Sequence, residues 1–165
     1  MYNTINEFIE EWRSEGASTQ KLLDALTDSS LGQQVSPNDR TLGRIAWHVV
    51  TSIPVSVFGL TAEVAQDSVT IPSTAKEIAE SFQKIRTAVL DTVSTQWTDA
   101  SLNEVRSVFG MDMPLAVSLP LVIKHLIHHR GQMTVLMRQA GLKVPGVYGP
   151  AREEWAAIGL EAPKV

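Results

Sequence analysis

The residues best placed to do chemistry lie in one apolar stretch, Lys124 to Met133. It holds His125, His128 and His129, three of the chain's four histidines. His125 and His129 are one helical turn apart, so on a helix they share a face. Leu121, Val122, Leu126, Met133, Leu136 and Met137 fall on the same side. Two imidazoles where leucines are expected are costly unless both find partners. A divalent ion partners both at once, because ring nitrogens one turn apart converge on a single point. The competing reading is a pair of core histidines bonded to backbone or side chains.

A stable metal site needs three or four ligands. The remaining histidine, His48, lies in the apolar run Thr41 to Ile53, at the edge of its buried side. On periodicity alone it reads either as the third ligand or as a half-exposed histidine beside Arg44 and Ser52. His128 is turned away from the stripe centre and reads either as a pocket-edge residue that could shuttle a proton or as a structural one. Gln132 falls between His125 and His129 on the helical wheel, where an amide can orient a ligating imidazole. It reads equally as a surface or interhelical amide. Arg130 points elsewhere and suits a structural ion pair or a loop cap.

Other chemistry finds no support. The Gly-x-x-x-x-Gly-Lys-Ser/Thr phosphate loop is absent, and so is His-Glu-x-x-His. The stretch Ser118 to Ala140 carries no carboxylate, which excludes a bundle-type di-metal site built on Glu-x-x-His.

Four helical patterns must position these residues. Thr4-Ile5-Asn6-Glu7 and Thr74-Ala75-Lys76-Glu77 both have capping-box spacing. The periodicity predicts helices over 4–27, 41–54, 74–97 and 118–140, with Pro120 tolerated in the first turn of the last one. The connection 55–73 is long enough for a crossover, so helices two and three are expected to run parallel. Val105 to Phe109 and Met113 to Val117 flank Gly110-Met111-Asp112 as a short hairpin. The tail after Gly141 reads as a docked loop with one helical turn near Glu153 to Ala157. The pattern is all-α, a four-helix bundle forming a single domain over 1–165.

Composition narrows the function. The chain is 44% hydrophobic and 19% charged with a net charge of −4, and it lacks the basic footprint of a nucleic-acid binder. It has no cysteine, so disulfides and a protein-borne thiol nucleophile are excluded. The N-terminus has no signal-peptide pattern and no apolar run is long enough for a bilayer, so a cytoplasmic protein without a membrane partner is expected.

Ser118-Leu119-Pro120-Leu121 leading into His125-x-x-His128-His129-Arg130-Gly131-Gln132 resembles the last bundle helix of the DinB/YfiT-like superfamily of metalloenzymes. Trp47-His48 in an apolar helix resembles its second helix, and Gly141 to Pro145 followed by Tyr148-Gly149-Pro150 its C-terminal segment. The resemblance implies a bacterial four-helix bundle in up-down-down-up order. It implies one divalent ion per chain on His48, His125 and His129, and a homodimer, for which surface-facing Val55, Val57 and Phe58 offer an interface.

The expected function is that of a metal-dependent enzyme acting on a small molecule. Three neutral imidazoles leave an open coordination position. Such an ion lowers the pKa of bound water to about 7, which suits a hydrolase. It also binds an external thiol, which suits a transferase using a low-molecular-weight thiol. Zinc and nickel are the first choices of metal, with iron and manganese after them. The alternative is a non-catalytic, stress-associated metal-binding bundle, in which a fourth protein ligand closes the site.

Overall fold

Thr4 and Thr74 each begin a helix by accepting a hydrogen bond from the amide three residues on, while Glu7 and Glu77 reach back to the capping residue's own N–H. The computed structural model describes residues 1–61 and 67–164. Its elements are α1 (Ile5–Asp24), α2 (Leu42–Thr51), α3 (Ala75–Gln96), a hairpin of β1 (Val105–Val108) and β2 (Met111–Pro114), and α4 (Leu115–Gln139). Three short 3-10 turns, Asp28–Ser30, Asp99–Asn103 and Trp155–Ile158, lie between and after them.

The four helices fall where the periodicity puts them, with shifted ends. Among the starts, that of the last helix shifts most, to Leu115 from the expected Ser118. Pro120 therefore sits inside it, beyond the first turn. A proline there cannot donate to the carbonyl of Ala116. The backbone N–H of Tyr2 takes that carbonyl instead, at 3.2 Å, so the missing bond is replaced by one that ties the N-terminus to α4.

The hairpin is also displaced from its expected register. Its turn is Phe109-Gly110, with φ of 52° and 78°, the two left-handed residues that a tight two-residue hairpin requires. That turn pairs Val108 with Met111, so the second strand starts at Met111 and ends where α4 begins. A bulky Phe in the left-handed region is a strained choice.

Each of α1 and α2 packs against both α3 and α4. The contacts run along the helices. Gln20 meets the Ala79 carbonyl, the Trp12 indole donates to the Arg86 carbonyl, and the Ile5 amide donates to Asp99. One continuous core includes Phe8, Trp12, Leu42, Ile78, Phe82, Leu119 and Ile123. α2 is buried almost all round, because the chain at 67–69 covers its outer side. The Trp47 indole donates to the Asp67 carbonyl, and Arg44 donates to the carbonyls of Ser68 and Val69.

The segment after α2 corrects the expected dimer surface. Val57 and Phe58 are core residues, 2% and 0% exposed, and Val55 is half-buried against them. Tight turns from Pro54 and Val55 fold this segment inward. Phe58 then stacks on Trp97 with ring centres 5.7 Å apart, and Arg106 donates to the Val57 carbonyl. Part of the 55–73 connection lies outside the described residues. Among the described residues no helix is long and apolar enough to cross a membrane.

Candidate metal centre

α4 sets the site through its pitch. Successive residues on a helix are about 100° apart, so turning Arg130 toward α1 turns His129 toward α2. Arg130 is 2% exposed. It pairs with the Glu15 carboxylate at 2.6 Å and donates to the Glu15 carbonyl and the Tyr148 hydroxyl. That hydroxyl in turn donates to Glu15. The structural ion pair expected of Arg130 is present. Its partner was missed in the sequence, although Glu15 stands three residues after Trp12 on the buried stripe of α1, an improbable place for a lone carboxylate.

On the other side of α4, His125 and His129 meet His48 of α2. Their ligand atoms all lie within 4.8 Å of one another. The Nε2 atoms of His48 and His125 are 3.1 Å apart. His129 stands edge-on to both other rings, with centres 4.5 Å from each.

Burial lowers the pKa of all three imidazoles, to about 4 for His48. Neighbouring positive charge, including that of Arg40, acts in the same direction, and for His129 the Gln132 hydrogen bond partly opposes the shift. The rings are therefore neutral at pH 7, the form that binds a metal.

Gln132 joins His129 to His128, the histidine that the sequence left at the rim. Its Oε1 lies 2.8 Å from His129 Nδ1, and its Nε2 lies 3.2 Å from His128 Nε2. An amide oxygen only accepts, so His129 carries its proton on Nδ1 and leaves Nε2 bare. The same amide donates to His128 and holds that exposed ring at the rim. His128 does not join the group of three.

These residues fit a divalent ion. Two neutral imidazoles presenting Nε2 lone pairs at 3.1 Å repel unless a proton or a cation lies between them. With metal–nitrogen bonds of about 2.1 Å, neighbouring ligand nitrogens sit about 3.0 Å apart at a right angle and about 3.4 Å apart at the tetrahedral angle. The observed separation falls between these values. Three histidines in this arrangement could hold a metal ion.

The surroundings include residues that the sequence pattern did not single out. The Phe109 ring at the hairpin tip is 5.1 Å from the His125 ring. His129 and Gln132 line a cavity of about 490 Å³ together with Val35, Asp39, Arg40, Ile45, Val135 and Leu136. Loop residues such as Arg40 leave no periodic signal, so only the folded chain identifies them.

Comparison with known proteins agrees with this architecture. The chain is 48% identical, over the full length of both, to a Bacillus subtilis (strain 168) protein named uncharacterized protein YrdA. It superposes on the crystal structure of a DinB-like protein from Bacillus cereus ATCC 10987 with a TM-score of 0.84 and 49% identity, covering 90% of this chain and all of that one. A second DinB-like protein, YjoA of Bacillus subtilis, shares the fold at a TM-score of 0.64 and 19% identity, over 86% of this chain and 96% of the other. A sequence model described as DinB family matches residues 1–164. With the helical bundle, the end-to-end likeness and that match all in agreement, the chain belongs to the DinB family.

Proposed function

We propose that this chain is a metal-dependent enzyme in which His48, His125 and His129 hold one divalent ion that acts on a small molecule. Zinc and nickel suit the imidazole set best, with iron and manganese after them. The observation that carries the reading is the Gln132 bridge. It fixes the tautomer of His129 and also holds His128 at the rim, so among the described residues no fourth histidine joins the group. When bound, the ion supplies Lewis acidity toward a substrate oxygen or sulfur. The chain's own residues do the rest. Burial keeps the three rings neutral, Gln132 orients one of them, and Phe109 shields His125 from water on the hairpin side. This chemistry serves a hydrolase or a transferase that uses an external low-molecular-weight thiol.

The reading extends to a single bundle domain over 1–165 in the cytoplasm, without nucleic-acid or membrane partners, in up-down-down-up order. Residue pairs support that order. Positions 5, 12 and 20 of α1 meet 99, 86 and 79 respectively, whereas 2 and 15 meet 116 and 130. Gln33, before α2, meets Gln139 at the end of α4, and His48 meets His125. A homodimer is part of the proposal, and light scattering that gives a monomer mass at all concentrations would remove it.

The test begins with protein never exposed to a histidine tag or nickel resin. Elemental analysis should find one divalent ion per chain. Ester, amide and lactone hydrolysis should then be screened beside thiol conjugation supplied with glutathione, mycothiol or bacillithiol. Turnover should be lost on chelation and in His129→Ala. Turnover that survives both would place the chemistry elsewhere. Silence in both panels, with a fourth protein ligand on the metal, would favour a binding protein.

A further inference from the structure

The cavity beside His129 has a divided lining. Ile45 and Leu136 form a buried apolar floor, 6% and 2% exposed, while Val35 and Val135 stand at its rim, 67% and 55% exposed. Two branched apolar side chains left in water at one opening are surface that a ligand's hydrocarbon can cover. Arg40 lines the same cavity and is exposed. Among the described residues it has no hydrogen-bond or ion-pair partner. Its charge acts on His48, His125 and His129 together. Arg40 and His129 line this same cavity, so the guanidinium stands on the histidine side of it without being consumed by the fold.

A free planar fork beside an apolar slot matches an organic anion. Asp39 narrows the choice. It lines the same cavity, and its carboxylate stands against a second negative charge on the ligand. A carboxylate monoanion meets Arg40 with less repulsion than a phosphate dianion does.

We propose that Arg40 is a specificity-determining residue, and that the substrate carries a carboxylate, separated by a short hydrocarbon from the group that the metal activates. This rests on the metal-site reading above. The carboxylate docks on Arg40, the hydrocarbon lies along Val35, Ile45, Val135 and Leu136, and the far end reaches His129, which lines the same cavity.

Paired hydroxamates test this on cobalt-loaded protein. Succinic, glutaric and adipic monohydroxamates carry a terminal carboxylate, whereas butyro-, pentano- and hexanohydroxamate do not. Both sets address the metal through the hydroxamate. Binding is read by calorimetry and by the cobalt absorption spectrum. In the wild type, at least one acid should bind about tenfold tighter than its neutral partner, the scale of one charge-assisted bidentate contact. Arg40→Gln should abolish that preference in protein that still takes up cobalt, and Arg40→Lys should restore part of it. Phosphonate-terminated hydroxamates should gain less than the carboxylates. Equal binding of acids and neutral partners by the wild type, or a preference that survives Arg40→Gln, overturns the inference and leaves the metal site standing. Protein that takes up no cobalt overturns both, and the spectrum reports that before any ligand is added.

Discussion

Replacing Arg130 with methionine tests the clasp that turns α4 toward its site. The side chains of Arg130 and Glu15 are 3% and 10% exposed, and their charges are 2.6 Å apart. Methionine fills much of the volume but returns no charge. Among the described residues the Glu15 carboxylate keeps only the Tyr148 hydroxyl as a donor, at 2.9 Å. The Glu15 carbonyl loses the Arg130 donor, although Thr19 still donates to it at 2.9 Å. Removing one partner of a buried pair costs about 3–5 kcal/mol, because the remaining charge is uncompensated. In a domain of this size each kcal/mol lowers Tm by about 2–4 °C. The expected fall is about 6–20 °C. It should be measured by circular dichroism on metal-free protein, so that metal binding does not raise the folded state. Replacing both partners, Glu15→Leu with Arg130→Met, should recover much of the loss, since no charge is then stranded. The coupling read from the double-mutant cycle should exceed about 1 kcal/mol. An Arg130→Met protein that melts within about 2 °C of wild type would refute the reasoning, because the pair would then contribute nothing that water does not.

Three further outcomes follow from the site. His48→Ala, His125→Ala and His129→Ala should each reduce bound metal to well below one ion per chain by elemental analysis, because two imidazoles make a poor site, and the bundle should stay helical by circular dichroism. Gln132→Leu should weaken metal affinity about 10- to 100-fold in competition with a chromophoric chelator, whereas His128→Ala should change it far less, and equal effects would remove the orienting role of Gln132. Metal-free protein should lose stability as pH falls from about 6.5 to about 4, because His48 has a lowered value of about 4 when folded and the unfolded chain takes up the proton first. His48→Gln should reduce that dependence in denaturant titrations across the window, with the lowered His125 and His129 carrying the remainder, and an unchanged slope would show that His48 does not contribute.

Much of the bundle was legible in the residues, and the reason is that helices are local. The capping boxes at Thr4 and Thr74, the 3.6-residue stripes and the glycine at 141 act within one or two turns. The start of α4 was misplaced because Pro120 reads as a first-turn residue until Tyr2 is seen to take the carbonyl it leaves free. Phe58 was misread for a similar reason. An apolar residue in a connection looks exposed until its stacking on Trp97 and Phe8 is known.

The sequence by itself determined that His125 and His129 share one face of one helix, since four residues span a turn whatever the rest of the chain does. Its pattern also put His48 in an apolar helix without saying what it faced. Only the tertiary structure decided that His48 and His125, 77 positions apart, would bring their Nε2 atoms to 3.1 Å. It also decided that Glu15 would hold Arg130 and that Arg40 would line one cavity with His129. Periodicity records which face of an element avoids water. Which partner meets that face depends on how the helices pack and where the loops between them cross, and no repeating pattern in the chain encodes that.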